Sequence, residues 1–329
     1  VVLDVAIVGA GPAGLAVAIA AGEAHLDYEV VEKGVLVNSI YHFPRNMIFF
    51  TTAELLEIGG LPFVTPYEKP TQAEGLKYYR RVAEACDLHV AMDEQVTAIR
   101  AEGTADAPSF AVESRHDGDR RSRRARHVVV ATGYYDHPNL LGVPGEDLPH
   151  VSHYYREPHA CFRRKVVVVG GKNSAAIAAL ELYRAGASVT LVHRRPQLGA
   201  SIKYWIRPDI ENRLKEGSIA ARFETRVVEI RPKAVVVEGP RGGEEIEAEA
   251  VFLLTGYHPD CALLTGAGVR VDAATLVPEH DAQTLETNVP GLYVAGALVS
   301  GRETGRIFIE NGRFHGHAIV ESIRRRRQA

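Results

Sequence analysis

The chain has 329 residues, 46% of them hydrophobic and 24% charged, with a net charge of −3. Those values describe a globular protein long enough for two domains, and the near-neutral charge gives no case for nucleic acid or an anionic membrane surface. No apolar run is long enough to span a bilayer, and three scattered cysteines (Cys86, Cys161, Cys261) offer neither a CxxC pair nor a disulfide framework. With no secretory leader in view, the expected location is the cytoplasm.

The first predicted strand is the apolar run Val5–Val8. It runs into Gly9-Ala10-Gly11-Pro12-Ala13-Gly14 and then into Leu15–Ala21, which reads as a tightly packed helix. Strand, glycine turn and helix in that order make a phosphate-binding unit. Gly9 permits the sharp turn, Gly11 lets a pyrophosphate approach the backbone, and Gly14 lets the helix sit close to the strand. Free N–H groups at the helix start then face the phosphates. Glu32, followed by Lys33, ends the next strand about twenty residues on, where a ribose-binding acid belongs.

From Lys33 to Pro70 the chain reads as mostly irregular. Tyr41, His42, Phe43, Phe49 and Phe50 crowd this stretch. They form either a loop packed by its own aromatics or a wall of a flat-ring pocket, such pockets being mostly apolar with a few placed polar groups. A helix is predicted over Thr71–Asp87 from the spacing of Leu76, Tyr79 and Val82, then a short strand at Leu88–Val90. Val96–Val130 alternates and turns like a small antiparallel meander. Its arginine-rich turn, Arg115–Arg124, reads as a solvated hairpin tip, because acids are interleaved and no aromatics flank the arginines. A buried strand then ends in Ala131-Thr132-Gly133, and Pro138, Pro144 and Pro149 punctuate a linker. His150, His153 and His159 lie in that linker with Cys161 as the only nearby thiol, a loop cluster rather than a zinc site; no metal is expected.

A second strand–turn–helix unit starts at Lys165–Val169. Its turn is Gly170-Gly171-Lys172-Asn173-Ser174-Ala175. Lys172 stands where the second glycine of the pattern belongs, and Ala175 at the third, which tolerates alanine. Asn173 and Ser174 offer donors at the helix start. The following strand exits into His193-Arg194-Arg195, without an acid. Arginines there suit a ribose 2′-phosphate. The second turn is therefore expected to hold NADPH, and the first, with Glu32, a nucleotide with a free ribose. Two nucleotide domains imply electron transfer between two cofactors, FAD in the first and NADPH in the second.

Val251–Tyr257 repeats the pattern of Val128–Tyr134, an apolar strand ending in Thr-Gly-Tyr. Gly291–Gly296 is a last buried strand, followed by Gly301, Gly305 and a helix expected to begin near Ile307. Arg324–Arg327 reads as the end of the final helix, where cations favour the dipole. The expected fold is α/β, two Rossmann-like dinucleotide-binding domains with the second inserted into the first: residues 1–136 and 257–329 for FAD, 137–256 for NADPH.

The chain resembles the thioredoxin-reductase-like flavoproteins over essentially its whole length. The match rests on Gly9–Gly14, Glu32, Ala131-Thr132-Gly133, Gly170–Ala175, His193-Arg194-Arg195 and Gly291–Gly296, in order. Within that group, Asn38–Tyr41, Phe49-Phe50, Leu56–Gly59, Ser152–Tyr155 and Ile307–Gly312 look like bacillithiol disulfide reductases. The resemblance implies FAD and NADPH as cofactors, a small-molecule disulfide or a small redox protein as acceptor, and a homodimer or higher homo-oligomer. Two departures matter. The stretch where thioredoxin reductases carry a CxxC is His153-Tyr154-Tyr155-Arg156, and the fingerprint cysteine typical of the bacillithiol branch is Ala13. An aspartate usual after Val-Ala-Gly is Ala297, so FAD is expected to be held by backbone around Gly296 and the helix start near Ile307. Tyr41 and His42 are the candidate catalytic residues at the flavin. A ferredoxin/flavodoxin–NADP reductase, a flavin monooxygenase and a flavin-bound redox sensor remain as alternatives.

Overall fold

In the computed structural model, which describes residues 2–328, the chain divides into two units: Val1–His137 with Tyr257–Ala329, and Pro138–Gly256. The first unit opens with β1 (Val2–Val8), α1 (Pro12–Glu23), β2 (Tyr28–Val31), α2 (Asn38–His42) and α3 (Gln72–Ala85). β3 (Val90–Ala91), β4 (Glu94–Ala101), β5 (Phe110–His116) and β6 (Asp119–Val130) follow. β1 lies between β2 and β6, parallel to both. Helix α1 is apolar all round because Gly14–Ala21 is buried on every side. Helix α3 starts where the sequence places it, in a capping box: the Glu74 N–H donates to Thr71 Oγ1, and the Thr71 N–H donates to Glu74 Oε2 at 2.8 Å.

Two expectations need correcting here. The short strand sits at Val90–Ala91, not Leu88–Val90, because Val30 and Val31 pair with Val90 and Ala91. The Leu88 N–H instead closes the end of α3 on the Ala83 carbonyl. The arginine-rich hairpin is also only partly solvated. Arg121 and Arg123 turn inward onto the fully buried Glu94 carboxylate, which also accepts from Ser114 Oγ, and Arg123 pairs with Glu29 as well.

The second unit contains β7 (Val151–Ser152), β8 (Lys165–Val169), α4 (Asn173–Arg184), β9 (Ser188–Val192), α5 (Arg207–Lys215) and β10 (Ala220–Arg222). β11 (Arg226–Arg231), β12 (Ala234–Gly239), β13 (Gly242–Glu247) and β14 (Ala250–Leu253) complete it. Its parallel sheet has the order β10-β9-β8-β14-β7, and β11-β12-β13 form a separate antiparallel sheet. Val167, Val169, Val251 and Leu253 of the first sheet share one core with Val235 and Val237 of the second.

The chain then returns to the first unit with α6 (Ala262–Gly266), β15 (Leu292–Val294), α7 (Ile309–Gly312) and α8 (His315–Gln328). β15 pairs in parallel with Val128–Val130 of β6, on the edge that β5 leaves after Ala125. One long strand thus serves the meander with one half and the nucleotide-type sheet with the other. The helix expected near Ile307 begins at Ile309. Asn311 explains the shift: its Oδ1 accepts the Phe308 N–H at 2.8 Å and its Nδ2 donates to the Arg306 carbonyl at 2.9 Å, so residues 306–308 form the cap. The terminal arginines do more than end α8. Arg326 holds Glu286 at 2.6 Å, and Arg327 pairs with Asp4 of β1. Both units are Rossmann-like, α/β with a parallel sheet. Among the described residues no helix is long and apolar enough to cross a membrane.

Candidate functional site

At the first turn, two glycines are demanded by the protein itself. Gly9 has φ +106°, and a Cβ there would lie 2.6 Å from the Ala131 carbonyl oxygen. A Cβ on Gly14 would strike the Gly9 carbonyl oxygen. Gly11 is different. Its backbone is extended, with φ −71° and ψ 172°, and a Cβ there would meet nothing within 4 Å. The fold therefore tolerates a side chain at Gly11, and the space left open is what a pyrophosphate needs. Helix α1 starts with Pro12, has no side-chain cap and carries no acid in its first turn, so its positive end is open.

Glu32 is buried beside this turn. Its carboxylate accepts the Ala10 N–H at 2.7 Å and the Gly34 N–H at 3.0 Å. Burial pushes its pKa up, and the two N–H groups pull against that shift. Lys33 pairs with Asp136 at 2.9 Å. The ends of β6 and β15 close in from the other side: a Cβ on Gly296 would come within 2.8 Å of Ala13 Cβ, and Gly312 brings Ile307 to the same corner, with Ile307 Cγ2 3.4 Å from a Gly312 Cβ. Gly9–Gly14, Glu32, Ala131–Gly133, Gly296 and Ile307 thus gather at the C-terminal ends of parallel strands, the place where such sheets take ligands.

The aromatic stretch has a more definite geometry than the sequence suggested. Tyr41 and His42 end α2, with their rings edge to face at 5.0 Å and Tyr41 50% exposed. His42 Nδ1 lies 2.9 Å from the Asn38 carbonyl oxygen, and Gln72 Nε2 donates to the Ile40 carbonyl. Phe43 meets Tyr135 edge to face at 4.9 Å, while the Tyr135 hydroxyl donates to the His42 carbonyl at 3.4 Å. Tyr135 also lies 4.7 Å from Tyr257. Sequence reasoning missed Tyr134 and Tyr135 as site residues. The signal was there in the repeated Thr-Gly-Tyr, since residues just past a parallel strand point into the ligand crevice.

The second turn is arranged otherwise. A Cβ on Gly171 would collide with the His193 imidazole, so that glycine is required by packing. Lys172, at the position equivalent to Gly11, is exposed and extended, with Cγ 3.4 Å from a Cβ on Gly199. The lysine side chain therefore runs out over the neighbouring loop. Asn173 does not stand free as a phosphate donor: its Nδ2 donates to the Ser201 carbonyl at 3.1 Å and its Oδ1 accepts the Lys203 N–H at 2.9 Å. Ser174 is exposed and Ala175 is buried against Gly170. Burial, and then Arg195 and Arg194, lower the pKa of His193. Among the described residues Arg194 and Arg195 are exposed and ion-paired to nothing. One site therefore presents a buried acid and an open backbone, the other a set of available cations.

Cys161 and Cys261 are buried and Cys86 is half-buried; all three are free, and burial raises each pKa, which disfavours the thiolate.

The family model described as pyridine nucleotide-disulphide oxidoreductase matches residues 6–296. A bacilliredoxin reductase of Bacillus subtilis is 42% identical over 97% of this chain and 97% of its own length. Bacillithiol disulfide reductase from Bacillus cereus superposes with a TM-score of 0.95 at 41% identity, over 98% of this chain and 99% of that one. The bacillithiol disulfide reductase from Staphylococcus aureus gives 0.91 at 36% identity, covering 98% of each.

Proposed function

We propose a function from the premise that this chain belongs to the pyridine nucleotide-disulphide oxidoreductase family: it is an oxidoreductase of the bacillithiol-disulfide-reductase-like kind, and it carries electrons from NADPH through FAD to a disulfide. The observation that carries the cofactor assignment is the contrast between Gly11, open for no reason of the fold's own, and Arg194 with Arg195, two exposed guanidiniums with no ion pair among the described residues. FAD supplies two-electron chemistry between a hydride donor and an acceptor. Gly11 and the start of α1 cradle its pyrophosphate, and Glu32 accepts hydrogen bonds from its ribose. Ala131–Gly133, Gly296 and Ile307 would hold its isoalloxazine end through backbone, and Tyr41 and His42 would be the side chains to meet it. In the second unit Gly170–Ala175 faces the NADPH pyrophosphate, and His193, Arg194 and Arg195 take the 2′-phosphate. The overall reaction balances as NADPH, a proton and one disulfide giving NADP⁺ and two thiols.

The related proteins are named for two acceptors, a bacilliredoxin and a low-molecular-weight disulfide. We propose a disulfide of that class here, reduced without an enzyme thiol, because Ala13 occupies the turn against Gly296 and the three cysteines are scattered and shielded. The same shielding favours, as a second reading, a thiol-independent acceptor such as ferredoxin or flavodoxin. The purified protein is expected to be yellow and to release FAD on heat denaturation. Release of FMN, or a colourless protein that takes up no flavin on reconstitution, would refute the reading. Bacillithiol disulfide, oxidised bacilliredoxin and ferredoxin, assayed side by side under NADPH, then separate the acceptors.

A further inference from the structure

The second unit carries an aromatic pair that the functional reading leaves without a role. Tyr204 is 79% exposed and Trp205 40% exposed, their rings at right angles 4.8 Å apart. They do not sit on a loose loop. Leu198, Ile202 and Ile206 are buried and anchor the segment from below, so the intervening residues are turned outward.

The segment is also fastened to the second glycine turn. The Gly199 N–H donates to the Gly171 carbonyl at 2.7 Å, and Arg207 Nη2 donates to the Gly199 carbonyl at 2.8 Å. Asn173, the first residue of α4, grips it from both sides through the Ser201 carbonyl and the Lys203 N–H. The aromatic pair is therefore held at a fixed offset from the turn that would receive a pyrophosphate. Lysines lie on the same loops: Lys203 Nζ stands 6.0 Å from the Trp205 ring, and Lys172 runs along Gly199. The acids nearest in sequence, Asp209 and Glu211, are engaged by Arg184 and Arg207.

Set at right angles, the two rings offer the face of one and the edge of the other beside a lysine, a corner that complements a flat base bearing phosphates. We propose that Tyr204 and Trp205 form the platform against which the adenine of the 2′-phosphorylated dinucleotide packs, on the face of one ring and the edge of the other, with Asn173 as the residue that positions the platform. This rests on the reading of the second unit as the NADPH site and adds an affinity element to it. It also gives Asn173 a role: the side chain that the sequence suggested as a phosphate donor instead fixes the loop carrying the stacking residues.

Trp205 is the only tryptophan in the chain, so its emission reports on this place alone. The test titrates the flavin-loaded full chain with 2′,5′-ADP, which cannot react, and follows indole emission together with calorimetry. The expected result is a saturable emission change, with Trp205→Ala and Tyr204→Ala each weakening binding by about tenfold, the range of base–aromatic stacking. Trp205→Phe should recover most of that loss, and Asn173→Ala should weaken binding while leaving the melting temperature within a few degrees. If 2′,5′-ADP binds by calorimetry with no emission change and Trp205→Ala binds it equally well, the platform is overturned while the NADPH site stands. In that event Trp205→Ala slowing turnover with a protein acceptor alone would assign the pair to acceptor docking. If the wild-type protein does not bind 2′,5′-ADP at all, the reading of the second unit falls, and the platform with it.

Discussion

Gly11 and Lys172 hold the same position in two glycine turns, and their difference shows how far a residue type can be read from sequence. The fingerprint correctly marks Gly9, Gly11 and Gly14 as special, but it cannot say why each is glycine. The structure separates them: Gly9 and Gly14 are closed by the protein's own carbonyl oxygens, and Gly11 is not. This gives a sharp expectation for Gly11→Val. A valine fits the extended backbone and its Cβ meets no protein atom within 4 Å, so the apoprotein should lose no more than about 1 kcal/mol, the cost of a poor N-cap. Flavin content should nevertheless fall to near zero. A melting curve of the apoprotein and the flavin-to-protein ratio of the purified variant check both halves; a variant with full flavin would contradict the pyrophosphate cradle. Asn173 could not be read this way, because its partners Ser201 and Lys203 come from a loop about thirty residues away, brought back by burial of Leu198, Ile202 and Ile206.

Among the elements, α1, α3 and the β4–β6 meander were legible because each carries a local signal: an apolar helix after a glycine turn, a Thr-x-x-Glu cap, alternation with turn residues. The misplaced ones depended on distant partners. β3 is set by Val30 and Val31 rather than by its own composition, and the start of α7 is set by the Asn311 side chain. The meander also hides an ion cluster that no local pattern announces. Burial alone would raise the pKa of Glu94, but Arg123, Ser114 and Arg121 outweigh it and hold the carboxyl down to about 2 from 4.5. A depressed acid stabilises the fold above its unfolded pKa and loses that contribution as pH falls through the folded one. The cluster should therefore contribute about 3 kcal/mol at neutral pH, lost between about pH 4.5 and 2. Glu94→Gln should lower stability at pH 7 by that order and flatten the acid limb of the profile. Denaturant unfolding at several pH values measures it; an unchanged acid limb would mean the charges are not coupled to folding.

At the scale of the whole molecule, two Rossmann-like units with unlike turns fit an enzyme that handles two nucleotides of different chemistry. The order of glycine turns along the chain carried this much of the fold. The cluster of Tyr135 on His42 and Phe43 did not show, because it joins the end of β6 to α2 across more than ninety residues. The thiols bear on the chemistry. Cys161 and Cys261 are buried and Cys86 is half-buried, and no thiol relay is expected. A variant with all three replaced by serine should keep NADPH-driven reduction of ferricyanide within about twofold of the wild type, since small buried cysteines act mainly as packing. Loss of turnover with intact flavin reduction in one single replacement would reveal a relay.

The most direct measurement is anaerobic stopped-flow mixing of the flavin-loaded protein with NADPH or NADH, following the bleaching of flavin absorbance. The account predicts full two-electron bleaching by NADPH, with NADH at least about tenfold weaker, because charge-assisted hydrogen bonds from Arg194 and Arg195 to the 2′-phosphate contribute about 1.5–3 kcal/mol each. Arg194→Ala should erase most of that preference and leave the reaction with NADH unchanged. A flavin that NADPH does not bleach, or that both donors bleach with equal rates and affinities in wild type and variant alike, would contradict it.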